Sequence, residues 1–83
     1  MIEEIIYDKS YKCKSADGKV TGSFRFTKSD LGDTWITFII NIAKQINVKN
    51  ILLTKEPEID EYDIDIVNII LNDSNLQFIG YEE

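Results

Sequence analysis

The sequence predicts a two-layer α/β (α+β) domain with the element order ββαβαβ. In this fold, two helices pack on one face of a four-stranded mixed sheet. Three observations predict this fold: a hairpin signal at Asp17-Gly18, helical spacing in residues 33–47 and 58–72, and a short apolar strand after each predicted helix. At 83 residues, the whole chain (1–83) is expected to form a single small globular domain.

The first two strands are predicted from the turn outward. Asp-Gly suits a type I′ turn, which needs positive φ at both central positions. Counting back from this turn pairs Tyr11 with Phe24 and Cys13 with Gly22 on one face. The opposite face is polar and basic, and a slip of one residue would mix the two faces, so the register is well specified. The cations predicted on this outward face are Lys12, Lys14 and Arg25.

Residues 33–47 are predicted to form the first helix. Polar residues recur there at spacings of three and four, and Asp33 suits the N-cap position. The β-branched residues lower the helix propensity, but the period is taken as the stronger signal. The apolar arc spans about 200°, which is wider than one sheet face covers, so a second helix or another chain would have to pack on it.

The second half is predicted as strand 50–55, helix 58–72 and strand 76–81. The run Ile51-Leu52-Leu53 suggests a central parallel strand that is buried on both faces. Residues 58–72 fit both the strand period and the helix period. The helix is preferred because Pro57 is tolerated at a helix start and the early acidic residues suit the positive end of the helix dipole.

Charge is separated along the chain. All nine basic residues lie at or before Lys55, whereas nine of the fifteen acidic residues follow it. Residues 1–55 therefore have a net charge of +3, from nine bases and six acids, and residues 56–83 have a net charge of −9. This separation favours a basic surface of another protein as the partner of the acidic segment.

The predicted partner-binding surface lies on the second helix and the loop before it. A helical wheel places two aliphatic residues beside acids and an amide on the outward arc. The inward stripe that it predicts is Ile59, Tyr62, Ile66, Ile69 and Ile70, with Val67 flanking. The alternative is a solvated acidic helix face with isolated exposed aliphatics. The residues of the predicted surface are Glu56, Glu58, Glu61, Ile64, Asp65, Asn68 and Leu71.

Catalytic and metal sites are not predicted. The chain has no histidine, which removes the commonest general base and metal ligand. Cys13 is interpreted as a small apolar core residue, and no phosphate-binding glycine pattern is present. Asp60, Asp63 and Asp65 could supply oxygen ligands to a divalent cation, but a solvated acidic face is the favoured interpretation. We therefore expect no catalytic residue, no metal and no cofactor.

Nucleic-acid and membrane binding are also not predicted. Strand alternation sends Phe24 and Phe26 to the face opposite Arg25, and the net charge of −6 repels a polyanion. No apolar run approaches the length of a signal peptide or a membrane span. A single cysteine fits a reducing compartment, so we expect a cytoplasmic protein.

The sequence thus predicts a non-catalytic intracellular protein-binding module whose acidic C-terminal segment docks on a basic surface of a protein partner. Its size and acidity resemble those of inhibitors from phages or mobile elements, including anti-CRISPR, antirestriction and immunity-like proteins that mimic nucleic acid. A homo-oligomeric assembly subunit is the alternative, because of the wide apolar arc and the two oppositely charged regions. A carboxylate metal-dependent enzyme is the less favoured third hypothesis, because no acid/base partner accompanies the carboxylates.

Overall fold

A computed structural model describes residues 2–54 and 61–81, and in it the chain forms one five-stranded sheet and one helix. All four strand pairs are antiparallel, and the strand order across the sheet is β4-β3-β2-β1-β5. Helix α1 connects the two edge strands, β4 and β5. The elements are β1 (Tyr11–Lys14), β2 (Val20–Lys28), β3 (Thr34–Ile42), β4 (Gln45–Thr54), α1 (Glu61–Asp73) and β5 (Gln77–Tyr81).

The predicted ββαβαβ fold with four strands and two helices is therefore wrong, and the error lies in residues 33–47. These residues form β3, a tight turn and the start of β4, and β3 pairs with β2 over nine consecutive residues. Ile36 and Phe38 of β3 are buried, whereas Ile39 is exposed. The β-branched and aromatic residues favour a strand, and this preference outweighs the helical spacing.

The turn between β3 and β4 explains why the sequence pattern was misleading. Ala43 and Lys44 both have positive φ, 51° and 67°, as the central residues of a type I′ turn require. Asparagine, aspartate and glycine are the usual residues at such positions. Because none of these three residues is present in this turn, the sequence does not predict a hairpin here. The predicted strand 50–55 is therefore only the C-terminal part of β4. That strand lies at the sheet edge, not in a parallel centre.

The predicted β1–β2 register is confirmed: Tyr11 pairs with Phe24 and Cys13 pairs with Gly22. Gly22 also shows the close backbone approach that glycine permits within a strand. A Cβ atom there would lie 2.6 Å from the carbonyl oxygen of Ile39. The helical alternative for the acidic segment is confirmed over Glu61–Asp73, and the last strand, Gln77–Tyr81, lies within the predicted range.

The connection between β1 and β2 differs from the predicted turn, because only Gly18 of the Asp17-Gly18 pair has positive φ, at 72°. The Ser15 N–H donates to the Val20 carbonyl at 2.9 Å, so four residues form the loop. The Asp17 carboxylate accepts hydrogen bonds from the Ser15 hydroxyl and the Lys19 N–H, at 2.6 and 3.0 Å. These two bonds, of which the first has the larger effect, lower the pKa of Asp17.

The core lies between one face of the sheet and α1, and Tyr11 is at its centre. The Tyr11 ring is fully buried and stacks on Phe24 at 4.9 Å between centroids, with Phe26 edge-on at 5.2 Å. Its hydroxyl accepts a hydrogen bond from the Ile6 N–H at 2.8 Å and donates one to the Glu4 carbonyl at 3.1 Å. The ring thus fills the core while its hydroxyl binds the N-terminal segment.

Burial changes the acidity of two core groups. Burial is the main cause that raises the pKa of Tyr11 to about 12, and it also raises the pKa of the Cys13 thiol to about 11. Cys13 is 1% exposed, which confirms its interpretation as a buried core residue. Both groups hold their protons more tightly in the folded chain than in the unfolded chain.

The contribution of these two groups to the free energy of unfolding is therefore expected to be constant from pH 7 to about pH 8 and to fall as the pH rises from there towards 12, because the unfolded state releases these protons first. Cys13→Ala should remove the part of the fall that begins near the ordinary thiol pKa. Tyr11→Phe should remove the part that begins about one pH unit higher. Urea unfolding at intervals between pH 7 and 11.5 measures this, and parallel curves for all three proteins would contradict the assignment.

Candidate functional site

The sheet has one face that no described helix or strand covers, which we call the open face. Helix α1 packs on the opposite face through Val67 and Leu71, which are 0% and 4% exposed. Strand alternation determines which side chains point to the open face. They include Ile79 of β5, Lys12 and Lys14 of β1, Thr21, Ser23, Arg25 and Thr27 of β2, Trp35, Thr37, Ile39 and Asn41 of β3, and Ile46, Val48, Asn50 and Leu52 of β4.

Side chains on the open face form rows that run across the strands. The central row is Lys12, Ser23, Ile39 and Val48, which are register partners from β1 to β4. The row on one side contains Lys14 and Ile46, and the row on the other side contains Arg25. Each row therefore places a cation on the β1–β2 side, and two of the rows place an aliphatic side chain on the β3–β4 side.

A shallow groove follows the part of β2 whose outward side chains, Thr21 and Ser23, are small. One open depression of about 470 Å³ is lined by Lys12, Ser23, Ile39 and Ile46. A second, of about 340 Å³, continues past Arg25 and shares Ser23 and Ile39 with the first. Lys12 and Lys14, with Ile79 of β5 beside them, thus form one wall of the groove, and the branched side chains of β3 and β4 form the other.

The aliphatic wall is exposed to solvent to an unusual degree. Ile39, Ile46 and Val48 are 46%, 70% and 62% exposed and lie on adjacent strands, and we call these three residues the aliphatic patch. Contiguous exposed aliphatic side chains of this kind mark protein-interaction surfaces more often than isolated ones do.

The predicted surface on the second helix is not assembled as expected. Leu71 is buried and Ile64 is half-buried against the core, and among the predicted residues whose side chains the structure describes, Asp65 alone is exposed. Glu61 is the first residue of α1, and Glu56 and Glu58 lie outside the described residues. The predicted orientation of the helix is partly wrong. Val67 and Ile70 lie on the core side, as expected, but Leu71 was predicted to face outward and is 4% exposed, and Ile69 was predicted to face inward and is 58% exposed. Apolar residues occur on every side of this helix, so its wheel offered two possible inward stripes.

Asn68, predicted as a partner-binding residue, instead binds the N-terminal segment. Its Oδ1 accepts a hydrogen bond from the Ile2 N–H, and its Nδ2 donates to the Ile2 carbonyl, both at 3.0 Å. Ile2 is buried, and Glu3 and Glu4 beside it are exposed. This contact places two more carboxylates on the helix side of the molecule.

The exposed side of α1 carries a stripe of three residues that includes Ile69, which the helical wheel had placed on the inward side. Asp65, Ile69 and Asp73 are exposed and four residues apart, so they follow one another on successive turns, and we call them the acidic stripe. The helix contains no basic residue. Among the described residues, the exposed side of α1 is therefore acidic, whereas the charged side chains of the open face are Lys12, Lys14 and Arg25.

The described residues contain no group of three or more histidine, cysteine, aspartate or glutamate side chains that could hold a metal ion. Of the three aspartates considered as ligands, Asp60 lies outside the described residues and Asp65 is exposed on α1. In the described part of the chain, no helix is both long and apolar enough to cross a membrane.

Comparison of the chain with protein-family models, with curated proteins and with solved structures finds no match.

Replacing Asn68 by aspartate tests its contact with Ile2 because the two side chains have the same shape. At neutral pH the carboxylate would face the Ile2 carbonyl without a proton to donate, so we expect a loss of about 1–3 kcal/mol in the free energy of unfolding. The loss should shrink as the pH falls through about 4, because the protonated acid donates again.

Asn72→Asp is the matched control, since Asn72 is exposed on the same helix. It adds the same charge near the helix end and should cost less than about 1 kcal/mol. Urea unfolding at pH 7 and pH 3.5 measures both variants. Equal losses for the two variants at pH 7 would show that the charge, and not the contact with Ile2, is responsible.

Proposed function

We propose that this chain is a non-catalytic protein-binding module of the cytoplasm and that the open face of its sheet binds the partner. The observation that supports the proposal is the aliphatic patch of Ile39, Ile46 and Val48, exposed along a groove whose other wall is basic. Burying one such side chain completely is worth about 1.5–3 kcal/mol. A partner that covers the patch would therefore gain a substantial part of its binding free energy there.

The chemistry of the groove favours an acidic protein surface that also carries aliphatic side chains. Lys12, Lys14 and Arg25 border the groove on its basic side, and they would attract carboxylates and raise the association rate at low salt. A nucleic acid is disfavoured, because Phe24 and Phe26 are buried in the core and the net charge of the chain is −6.

A second candidate function uses the acidic stripe. Asp65 and Asp73 flank the exposed Ile69 on a helix without basic residues, and this arrangement favours docking on a basic surface of another protein. The inhibitors of phages and mobile elements that mimic nucleic acid would act in this way. In this candidate the binding residues are Asp65, Ile69 and Asp73, and Leu71 and Asn68 have structural roles.

The open-face proposal is tested with Val48→Asp and its matched control, Leu31→Asp. Leu31 is 90% exposed and lies outside the patch, so both variants place a carboxylate on an exposed aliphatic position. Tagged proteins are used to capture partners from the source cell, and a partner that is captured is then purified and titrated. We expect Val48→Asp to weaken binding at least 10-fold, about 1.4 kcal/mol, and Leu31→Asp to change it less than about 2-fold.

The acidic stripe is tested in the same experiment with Asp73→Lys, for which Asp30→Lys is the control in an exposed loop. Circular dichroism verifies that each variant is folded. A partner lost only with Asp73→Lys would support the second candidate function instead. If all variants capture the same proteins with the same affinity, neither surface is the binding site.

A further inference from the structure

We propose that the partner of the open face is a second copy of this chain, whose acidic stripe lies in the groove along β2, so that molecules assemble head to tail. This inference rests on the proposed function, because it uses the same open face, and it adds the identity of the partner. It is drawn from the match in spacing and in charge between two surfaces of one molecule.

The spacings of the two surfaces agree. Asp65, Ile69 and Asp73 follow one another at four-residue steps, about 6 Å each along a helix axis. Neighbouring rows of the open face are two residues apart along a strand, or about 6.7 Å. A helix that lies along β2 can therefore place one residue of the acidic stripe on each of three consecutive rows.

The chemistry agrees row by row. With Ile69 on the central row, its side chain lies beside Ile39 of the other molecule, and Val48, the register partner of Ile39, extends the same aliphatic surface one strand further. The two carboxylates then lie on the flanking rows, which contain Lys14 and Arg25. The buried centre of this contact is aliphatic and its rim consists of opposite charges, which is the usual arrangement of a protein interface.

Charge argues against the symmetric alternative in which two open faces pack on each other. Such a dimer would bring Lys12, Lys14 and Arg25 of one molecule towards the same cations of the other, and facing like charges oppose association. The helix side supplies the opposite charge. The contact is therefore between different surfaces. A pair of molecules retains one free acidic stripe and one free groove, so further molecules add until a ring closes or a filament forms.

A contact made by one helix buries on the order of 1,000 Å² in total, so the association should be weak and concentration-dependent. It is measured on the full chain by sedimentation velocity and light scattering between 10 µM and 1 mM. We expect the average mass of the wild-type protein to increase with concentration. A wild-type protein that remains monomeric at 1 mM overturns the inference.

Charge-reversed variants identify the surfaces. Asp65→Lys with Asp73→Lys reverses the acidic stripe, and Lys14→Glu with Arg25→Glu reverses the groove. Each double variant alone should associate at least 10-fold more weakly than the wild type. An equimolar mixture should recover association, because the reversed stripe matches the reversed groove. Asp30→Lys with Lys19→Glu, in exposed loops, is the control that should behave as the wild type.

The remaining outcomes separate this inference from the proposed function. If association persists in both double variants, the head-to-tail contact is wrong and another contact, such as pairing of the edge strand β4, is responsible. If the wild type is monomeric while Val48→Asp still loses a captured partner, the open face binds a different protein and only the identity of the partner is wrong. Circular dichroism of every variant verifies that lost association does not reflect unfolding.

Discussion

One helix cannot cover both faces of a five-stranded sheet, and this constraint determines the rest of the molecule. Helix α1 has 13 residues and is about 20 Å long. It covers one face, where Tyr11, Phe24 and Phe26 are packed out of solvent, and the opposite face has no described element over it. Ile39, Ile46 and Val48, which β3 and β4 direct to that opposite face, are consequently exposed. The aliphatic patch is thus exposed because the described chain has only one helix for a five-stranded sheet.

The covered face needs the N-terminal segment as well as the helix. Residues 2–7 are held by the Tyr11 hydroxyl and by Asn68, so one core side chain and one helix side chain fix the same segment. Tyr7 adds a third attachment, a hydrogen bond of 2.7 Å between its hydroxyl and the Thr34 hydroxyl, which is otherwise shielded from water. Since α1 is linked to the sheet through this segment, the acidic stripe has a fixed orientation relative to the groove.

The sequence determined some elements clearly and others not at all. The β1–β2 register could be predicted because polar and apolar residues alternate and Gly18 provides a turn signal. The β3–β4 hairpin could not, because both of its faces contain isoleucine and its turn is formed by Ala43-Lys44. The orientation of α1 failed for a related reason, since a helix with apolar residues all round has no unique inward side. The predicted excess of apolar surface in residues 33–47 was nevertheless real, and it lies on exposed strands instead of on a helix.

Two kinds of contact compete for the β3–β4 hairpin, and the arrangement of charge favours one of them. An edge strand such as β4 can pair with another strand through its backbone, and natural proteins oppose this with lysine on or near the edge. Lys44 in the turn and Lys49 in β4 are both exposed there. Pairing of two such edges would bring these cations together, whereas a helix in the groove leaves them in solvent. The same lysines that discourage sheet extension therefore leave the open face available for a partner with carboxylates.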